Sequence, residues 1–312
     1  MEKLKSVLIT GGFGNLGSWL VDFLSGKGFK VYVLSRSEKS FLSREKYIPI
    51  ICDLEDEVGI KRGLSGISLN YVIHAGSMND PFIPSYHKKS LLVNSLGTRN
   101  LLQGISDHKI AHLIYLSTYH VYGKNEGIVT EADGMNPQND YAITHSFGEE
   151  YVRMFHRQIQ LPYTILRLSN SYGCPMDVNT SKWYLVLNDF SRMACTGKKI
   201  ILKTNGKPKR DFIWMGTVCR IIQSLLKLPE SPNDVFNLSG GQTYNIFEIA
   251  VKVSRAWKEY SGVEVPIILN EDDHSPESEL TISPDKLKKI IQFRDEDKFS
   301  EEAKKIFDLL AK

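Results

Sequence analysis

The chain has 312 residues, of which 42% are hydrophobic, and this is enough to bury the core of one large domain or of two. Its 39 Lys and Arg residues are nearly balanced by 36 Asp and Glu, so the net charge of +3 excludes the basic field that binds nucleic acid non-specifically. The four cysteines are far apart and no apolar run reaches membrane-spanning length. We therefore expect buried thiols and a cytoplasmic protein that contacts neither nucleic acid nor a membrane.

The first predicted strand, Val7-Leu8-Ile9, runs into a glycine-rich turn and then into an amphipathic helix around Trp19. Gly12, Gly14 and Gly17 satisfy the pattern G-x-G-x-x-G. In this pattern the first glycine permits the turn, the second lets a diphosphate approach the backbone, and the third packs the helix on the strand. The helix N–H groups would hold the phosphate, so this stretch predicts a dinucleotide-binding site.

Strand-like and helix-like segments alternate through the rest of the first half. Apolar runs predict strands over 29–34, 48–52, 71–74 and 113–116, and helical periodicity predicts a helix over 90–105. Such repeated units indicate an α/β fold with a Rossmann-type, doubly wound parallel sheet. The ligand site is expected at the carboxyl ends of the strands.

The end of the second strand is where folds of this kind distinguish NAD from NADP. An acidic side chain there binds the ribose hydroxyls of NAD, whereas an arginine pairs with the extra phosphate of NADP. This chain has Ser35-Arg36 at that place and no carboxylate in the expected position. We therefore expect NADP(H), with NAD(H) possible and a solvated loop arginine as the alternative interpretation of Arg36.

Further motifs follow, among them Asn94-Ser95-Leu96-Gly97-Thr98, the run 117–123, Tyr141, the run 167–173 and Arg210-Asp211-Phe212. Together with the glycine turn, they resemble the extended short-chain dehydrogenase/reductases, a family of sugar-nucleotide epimerases, dehydratases and reductases, over nearly the whole chain. The resemblance implies a dinucleotide-binding Rossmann domain over 1–168, to which later segments return. It also implies a smaller, mainly substrate-binding region over 169–312, a nucleotide-sugar substrate and a homodimer formed through four helices.

The resemblance also implies which residues carry the chemistry. Tyr141 matches the family's acid/base, and Thr118 matches the hydroxyl that bonds the same substrate oxygen. The family has a lysine four residues after the tyrosine, but this chain has His145. Because a free histidine has a pKa of about 6.5, His145 would be mostly neutral at pH 7 and would support a phenolate poorly. A protonated Tyr141 suits ketone reduction better than alcohol oxidation.

Three other histidines require interpretation. His120 follows Tyr119, where the family's 4,6-dehydratases carry an aspartate and a glutamate, so dehydration is disfavoured. His120 is either an acid/base group or, with better support, a residue that lines the sugar pocket. His108 and His112 are interpreted as part of a surface turn, and we predict no metal site.

The remaining contacts follow from the same resemblance. Those to the cofactor are Gly11, Phe13, Gly14, Asn15, Leu16, Gly17, Arg36, Asp53, Leu54, Ala75, Gly76, Ser77, Asn94, Ser117, Tyr141, His145 and Leu168. The substrate would contact Thr118, Asn170 and Arg210, with Arg210 on the diphosphate of the sugar nucleotide. An ion pair between Arg210 and Asp211 is the alternative for that guanidinium.

The last third of the sequence contains a predicted strand over 235–238, helices over 243–256 and 300–310, and a further helix that starts at Ser283-Pro284. The leading hypothesis is an NADPH-dependent reductase of a 4-keto-6-deoxy sugar nucleotide, with Tyr141 as proton donor. The alternatives are an NAD-dependent sugar-nucleotide 4-epimerase and a non-catalytic, dinucleotide-binding regulatory protein.

Overall fold

A computed structural model describes residues 4–79, 82–83 and 85–311. In this part of the chain the strands are β1 (Ser6–Thr10), β2 (Lys30–Ser35), β3 (Ile48–Ile51), β4 (Tyr71–His74), β5 (His112–Thr118), β6 (Gly127–Val129), β7 (Tyr163–Leu168), β8 (Asn170–Tyr172), β9 (Ile200–Ile201), β10 (Lys209–Trp214), β11 (Asp234–Leu238), β12 (Gln242–Asn245), β13 (Ile267–Ile268) and β14 (Leu280–Ile282). The α-helices are α1 (Asn15–Gly26), α2 (Glu57–Leu64), α3 (Tyr86–Ser90), α4 (Gly97–Ile105), α5 (Asp140–Ile159), α6 (Val186–Gly197), α7 (Met215–Leu226), α8 (Ile246–Ser261), α9 (Asp285–Lys288) and α10 (Phe299–Leu310). A π-helix (Leu91–Leu96) joins α3 to α4, and short 3₁₀ turns cover Arg44–Lys46, Tyr119–Tyr122 and Lys182–Tyr184.

The described residues form a seven-stranded parallel sheet in the order β11-β7-β5-β4-β1-β2-β3. Val7 and Ile9 of β1 face a core that contains residues of α1 and α7, whereas Leu8 faces a core built with α2, α4 and α5. Both faces are therefore covered, and this is why the strands read as continuous apolar runs. The predicted Rossmann-type, doubly wound sheet is confirmed.

The strand order reverses direction at β1. From β1 the chain proceeds through β2 to β3 on one side, and then returns to β4 on the other side and continues outwards to β5, β7 and β11. Connections on opposite sides of such a reversal leave a crevice at the carboxyl ends of the strands, where ligands bind in folds of this kind. The fold thus places the candidate site beyond Thr10 and His74 at the ends of β1 and β4.

Segments after β7 contribute to two parts of the molecule. β11 and α7 extend and cover the main sheet, whereas β8, β10 and β12 form a three-stranded sheet of their own. A separate apolar core unites residues of α6, α8 and α10 with Phe212 of β10. The C-terminal part of the chain therefore builds a second wall beside the crevice.

Two helix predictions differ from the structure. The helix predicted over 243–256 begins only at Ile246, because residues 242–245 are extended and pair antiparallel with β10. Asn245 then caps α8, accepting a hydrogen bond from the Glu248 N–H, while the Glu248 side chain accepts from the Asn245 N–H. The helix predicted over 90–105 starts four residues earlier, at Tyr86, and includes the π-helical stretch.

The histidine prediction for residues 108–112 is wrong for His112. This residue begins β5 and is buried, with Nε2 2.7 Å from the Thr164 hydroxyl on the neighbouring strand. This hydrogen bond compensates for the burial of the polar imidazole. The charged residues that precede His112 in the sequence were the reason for predicting a surface turn.

The helix predicted from Ser283-Pro284 is a single turn, α9, and the final predicted helix is present as α10. The four cysteines are free, with Cys52 and Cys219 buried. Within the described ranges, no helix combines the length and apolarity that crossing a membrane requires.

Candidate active site

The turn after β1 owes its shape to Gly11. Its φ of +67° is in the left-handed region, and a Cβ added there would lie 2.6 Å from the Gly76 Cα. The prediction that Gly12 makes the turn is wrong; a Cβ on Gly12 would instead meet the Val33 side chain at 2.7 Å. A Cβ on Gly17 would lie 2.0 Å from the Gly11 oxygen, so this glycine lets α1 approach the turn closely.

The start of α1 can receive an anion. Gly14 precedes the helix without a capping side chain, and no acidic residue occupies the first turn. Unpaired N–H groups at a helix start carry partial positive charge. The buried Asn15 Oδ1 also has no hydrogen-bond partner among the described residues. The close glycine packing and the uncapped helix start fit the diphosphate of a dinucleotide.

Two adjoining cavities, of about 710 and 890 Å³, open at the carboxyl ends of the strands. The first runs along the ends of β2, β3 and β4, and the second reaches the ends of β5 and β7, α5 and the C-terminal part of the chain. Of the predicted site residues, all except Asn94 line one cavity or both. The structure therefore brings the predicted cofactor, catalytic and substrate residues to one continuous cleft.

Asn94 lies behind the cleft and not on its wall. Its side chain is buried; Oδ1 accepts a hydrogen bond from the Met78 N–H at 2.6 Å, and Nδ2 donates to the Met78 carbonyl and the Thr144 hydroxyl, both at 3.1 Å. These bonds tie the loop after β4 to α5. Asn94 thus supports the cleft from behind and does not line either cavity.

The first cavity ends beside the loop after β2. Arg36 is exposed on its rim, between Ser35 and Ser37. Asp53 lies on the same wall, half-buried, and its carboxylate accepts a hydrogen bond from the Glu55 N–H at 3.1 Å. Arg36 therefore presents a guanidinium on the rim of the first cavity, with the Asp53 carboxylate on the same wall.

The second cavity contains the predicted catalytic pair. Thr118 ends β5, and Tyr141 lies in the first turn of α5, which is capped by Asn139 through a 2.9 Å hydrogen bond from the Ala142 N–H. Burial raises the pKa of Tyr141 above its usual value of 10, and a hydrogen bond with Thr118 opposes this only in part. The phenol is therefore protonated at neutral pH.

His145 lies one helical turn beyond Tyr141. The imidazole is buried, with its Nδ1 3.2 Å from the Tyr115 hydroxyl. Its Nε2 is buried and has no partner within the described residues. Burial lowers the pKa of His145 to about 4, so the ring is neutral at pH 7. An unpartnered polar atom beside the cleft fits a hydrogen bond to a ligand hydroxyl there.

His120 borders the same cavity. Its ring stacks on Tyr119 with centroids 4.2 Å apart, and its centroid lies 6.0 Å from that of Tyr141. Removal from solvent and the charge of Arg210 both lower the pKa of His120. The ring is thus part of the wall of the second cavity and lies edge-on to the Tyr141 ring.

Arg210 and Asn170 stand on the opposite wall of the second cavity. Arg210 donates from Nη1 to the Lys209 carbonyl at 2.9 Å, and Asn170 Nδ2 donates to the Asp211 carbonyl at 2.8 Å. The Asp211 carboxyl is buried away from the Arg210 guanidinium, and burial raises the pKa of Asp211 to about 7. In the described part of the chain, the alternative ion pair between Arg210 and Asp211 is not formed.

The sequence analysis missed Glu149. This fully buried carboxylate accepts from the Ser117 hydroxyl at 2.7 Å and from Arg167 Nε and Nη2 at 2.9 and 2.8 Å. Burial alone would raise the pKa of Glu149, but the hydrogen bonds and charge of Arg167 outweigh it and lower the pKa. The carboxylate joins α5 to β5 and β7 behind the predicted catalytic residues. Its position four residues after His145, on the same helix face, is the sequence signal that could have revealed it.

The described residues contain no group of three or more His, Cys, Asp or Glu side chains arranged to hold a metal ion. The side chains that line the cleft include hydroxyl, phenol, imidazole and guanidinium groups around the glycine turn.

Comparison with known proteins identifies relatives of this arrangement. The chain is 25% identical over 292 residues to dTDP-L-rhamnose 4-epimerase from Burkholderia thailandensis, covering 79% of each chain. It is 23% identical over 261 residues to a Streptomyces dTDP-4-dehydro-6-deoxy-D-allose reductase, again covering 79% of each. Its fold matches UDP-N-acetylglucosamine 4-epimerase from Methanobrevibacter ruminantium M1, solved with UDP-N-acetylmuramic acid, with a TM-score of 0.83, 24% identity and 99% of each chain covered.

A sequence model of the NAD dependent epimerase/dehydratase family matches residues 7–246. This range contains the glycine turn, the Thr118–Tyr141 pair and Arg210, so it includes both walls of the cleft. The chain is therefore an enzyme of the NAD-dependent epimerase/dehydratase family, of the extended short-chain dehydrogenase/reductase type.

Proposed function

We propose that this enzyme reduces the ketone of a 4-keto-6-deoxy sugar nucleotide with NADPH. The observation that carries the proposal is the neutral, buried imidazole of His145 beside Tyr141. Without a cation at this place, the phenol keeps its proton and is ready to donate it. A relative that reduces a 4-dehydro-6-deoxy sugar nucleotide supports the substrate class.

Different residues of the second cavity are proposed to have different roles in ketone reduction. The nicotinamide, when bound, supplies the hydride to the carbonyl carbon. Tyr141 gives its phenolic proton to the carbonyl oxygen, and the Thr118 hydroxyl donates a hydrogen bond to the same oxygen. The ketone becomes a secondary alcohol, and Tyr141 is left as a phenolate that must regain a proton before the next turnover.

The preference for NADPH rests on the rim of the first cavity. Arg36 is exposed there and can form bidentate hydrogen bonds with a phosphate on the ribose. Glu38, the next acidic residue along the loop, is turned to Arg44 at 2.6 Å. The positions of Arg36 and Glu38 favour a ribose that carries a 2′-phosphate over a ribose with free 2′ and 3′ hydroxyls.

The sugar nucleotide is proposed to lie in the second cavity with its diphosphate on Arg210. This guanidinium is half-buried and bonded to a backbone carbonyl, with Asp211 turned away from it. Its remaining N–H donors can therefore pair with phosphate oxygens. Asn170 supports the same wall and can hydrogen-bond the sugar hydroxyls.

The direct test is nicotinamide absorbance at 340 nm on addition of 4-keto and 4-hydroxy sugar nucleotides to the NADPH-loaded enzyme. We expect stoichiometric loss of absorbance with a keto sugar. Tyr141→Phe should lower kcat by about 10²-fold or more and should affect NADPH binding much less. Turnover of 4-hydroxy sugars with no net absorbance change would contradict the reductase.

A 4-epimerase is the second candidate, and a different observation favours it. Residues 177–184 cross the cleft, with Asp177 bound to Lys39 at 2.9 Å and the Tyr184 hydroxyl donating to the Asn79 carbonyl at 3.1 Å. A cofactor covered in this way suits an enzyme that recycles it without release. Co-purification of the enzyme with a tightly held dinucleotide, together with product formation without net oxidation, is the result that would establish this function.

We further propose that the enzyme is a cytoplasmic homodimer. Four large apolar side chains are exposed on adjacent helices: Leu91 and Leu96 on the π-helix, and Ile143 and Phe147 on α5. A second copy related by a twofold axis would cover the patch with the same residues. Light scattering should give twice the chain mass for the wild type and the monomer mass for Phe147→Glu.

A further inference from the structure

A row of buried polar side chains runs behind the cleft from the end of β1 to His145. His74 ends β4, and Tyr115 is its register partner on β5, with ring centroids 5.5 Å apart. Thr10 and Thr98 lie within hydrogen-bond distance of the two ring nitrogens of His74. These four residues are buried, have no role in the proposed reduction, and reach the second cavity through His145.

The backbone groups at the two ends of this network fix the direction of its hydrogen bonds. The Gly76 N–H donates to Thr10 Oγ1 at 3.0 Å, so the Thr10 hydroxyl donates its own proton to His74 Nδ1 at 2.6 Å. Because burial lowers the pKa of His74 to about 3, the ring is neutral and its single N–H proton lies on Nε2. That N–H donates to Thr98 Oγ1 at 2.9 Å, and the Thr98 hydroxyl donates to the Asn94 carbonyl at 2.6 Å. Thr98 therefore has no further proton to donate.

The Tyr115 hydroxyl is the donor at the next link. Burial raises the pKa of Tyr115 well above its usual value, so the phenol keeps its proton at neutral pH. The hydroxyl lies 3.2 Å from His145 Nδ1 and 3.3 Å from the His145 carbonyl. That carbonyl lies inside α5 and already accepts a helical hydrogen bond, and Thr98 Oγ1, which Tyr115 also contacts, already accepts from His74. Nδ1 has no other donor in the part of the chain that the structure describes, and a ring nitrogen is more basic than a phenol oxygen.

We propose that Tyr115 is a positioning residue whose hydroxyl donates to His145 Nδ1 and so holds the neutral imidazole in the tautomer with its proton on Nε2. Nε2 is the buried ring nitrogen that has no partner among the described residues, and His145 lines the second cavity. A ligand oxygen at this place is therefore offered an N–H donor and not a lone pair.

The tautomer has a consequence for the proposed reduction, and the inference rests on that function for this consequence alone. Proton donation leaves a phenolate on Tyr141, whose ring centroid is 4.5 Å from that of His145. An N–H on Nε2 favours nearby negative charge, either directly or through a ligand hydroxyl that it orients, whereas a lone pair opposes it. Tyr115 thus acts on Tyr141 through His145.

The tautomer can be measured by NMR of the protein labelled with ¹⁵N in its histidine rings, because bare and protonated ring nitrogens have well-separated shifts. The spectrum of His145→Gln identifies the His145 signals. At pH 7 we expect a bare Nδ1 and a protonated Nε2 in the wild type. In Tyr115→Phe the two shifts should move towards each other, with the ratio of the two tautomers lowered by about fivefold, since one hydrogen bond is lost.

A double-mutant cycle separates positioning from a merely structural role. Tyr115→Phe should lower kcat for reduction of a keto sugar nucleotide by about fivefold in the wild type and by less than about twofold in His145→Gln, where no imidazole remains to be oriented. Tyr163→Phe is the matched control, because it removes a buried phenol hydroxyl from the same apolar core and leaves the contact between Tyr115 and His145 intact. It should change neither the His145 signals nor kcat.

Three outcomes would overturn the inference. The first is a bare Nε2 on His145 in the wild type, a measurement that needs no variant at Tyr115. The second is an unchanged tautomer ratio in a folded Tyr115→Phe variant. The third is an equal loss of kcat from Tyr115→Phe with and without the imidazole. Failure of the wild type to reduce any keto sugar nucleotide would instead refute the proposed function, and the tautomer measured in the free protein would stand.

Discussion

The imidazole of His145 and the phenol of Tyr141 meet edge to face, with ring centroids 4.5 Å apart and planes at 69°. On its other side the imidazole contacts the Tyr115 hydroxyl through Nδ1. The ring is therefore held between two phenols in a buried place where its positive form is disfavoured. Tyr141, the predicted acid/base residue, therefore has a neutral neighbour where a lysine would place a charge.

The first prediction concerns this neighbour. His145→Lys should place an ammonium beside Tyr141 and lower the pKa of the phenol. We expect the rate of alcohol oxidation at pH 7 to rise several-fold and its pH midpoint to move down by about one unit. The measurement is kcat against pH in both directions.

His145→Gln is the control, because it keeps a neutral hydrogen-bonding side chain and should leave the pH midpoint where it is. Thermal melting of both variants verifies folding. If the lysine variant is folded and no faster than the wild type, the histidine is adapted to the natural reaction and its neutrality does not limit the rate.

The second prediction concerns the 2′ end of the cofactor. Arg36→Ala should weaken NADPH binding by about tenfold or more and NADH binding less than twofold, because only NADPH loses a charge-assisted bond. Fluorescence titration with both reduced cofactors measures this. Arg62→Ala, an exposed arginine that lines neither cavity, should change neither Kd. A uniform loss for both cofactors would show that Arg36 acts on the loop and not on the phosphate.

The third prediction concerns the buried carboxylate behind the site. Glu149→Gln leaves the Arg167 guanidinium buried without its counter-charge, so we expect the free energy of unfolding to fall by about 3 kcal/mol. Urea denaturation measures the loss. Glu150→Gln removes an exposed pair with Arg153 and should cost less than about 1 kcal/mol. Equal losses in the two variants would show that the buried ion pair contributes no more to stability than the exposed one.

The fourth prediction is a loss of stability in acid. Burial lowers the pKa of His74 to about 3 and of His112 to about 4, as it does for His145. Between pH 6.5 and 4 the unfolded chain therefore binds protons that the folded protein does not, and stability falls as the pH falls. Each histidine contributes up to about 1.4 kcal/mol per pH unit in this window.

Variants isolate the contribution of one histidine. His112→Asn should reduce the slope of unfolding free energy between pH 6.5 and 5, whereas the exposed His274→Gln should leave it unchanged. Asp211, whose pKa is raised to about 7, acts in the opposite direction, so slopes are compared between variants and not taken as absolute values. An identical slope in His112→Asn and wild type would contradict the prediction.

The fold could be predicted wherever a buried element forms a continuous apolar run in the sequence. β1, β4 and β5 are buried along their length, and their apolar runs indicated strands correctly. The short strands β9 and β13 have two residues each, too few for any periodicity. The choice between Gly11 and Gly12 also failed, because overlapping glycine patterns fit both positions and only the approach of Gly76 decides between them.

The cleft was predictable where the chemistry depends on residues that are close in sequence. Tyr141 and His145 are one helical turn apart, so their contact follows from the helix. Glu149 meets Arg167 across two elements, and Lys182 meets Asn79 over 103 residues. Such pairings depend on how helices and loops pack on the sheet, and single-residue patterns do not contain that information.

The segment that carries Lys182 continues directly along the second cavity. Residues 184–188 line that cavity, while Asp177 and Lys182 hold the same segment against Lys39 and Asn79, which line the first cavity. A sugar nucleotide in place would therefore pin the segment from its far end and close the exit of the dinucleotide. If both proposed ligands bind here, we expect a compulsory order of binding in which the dinucleotide enters first and leaves last.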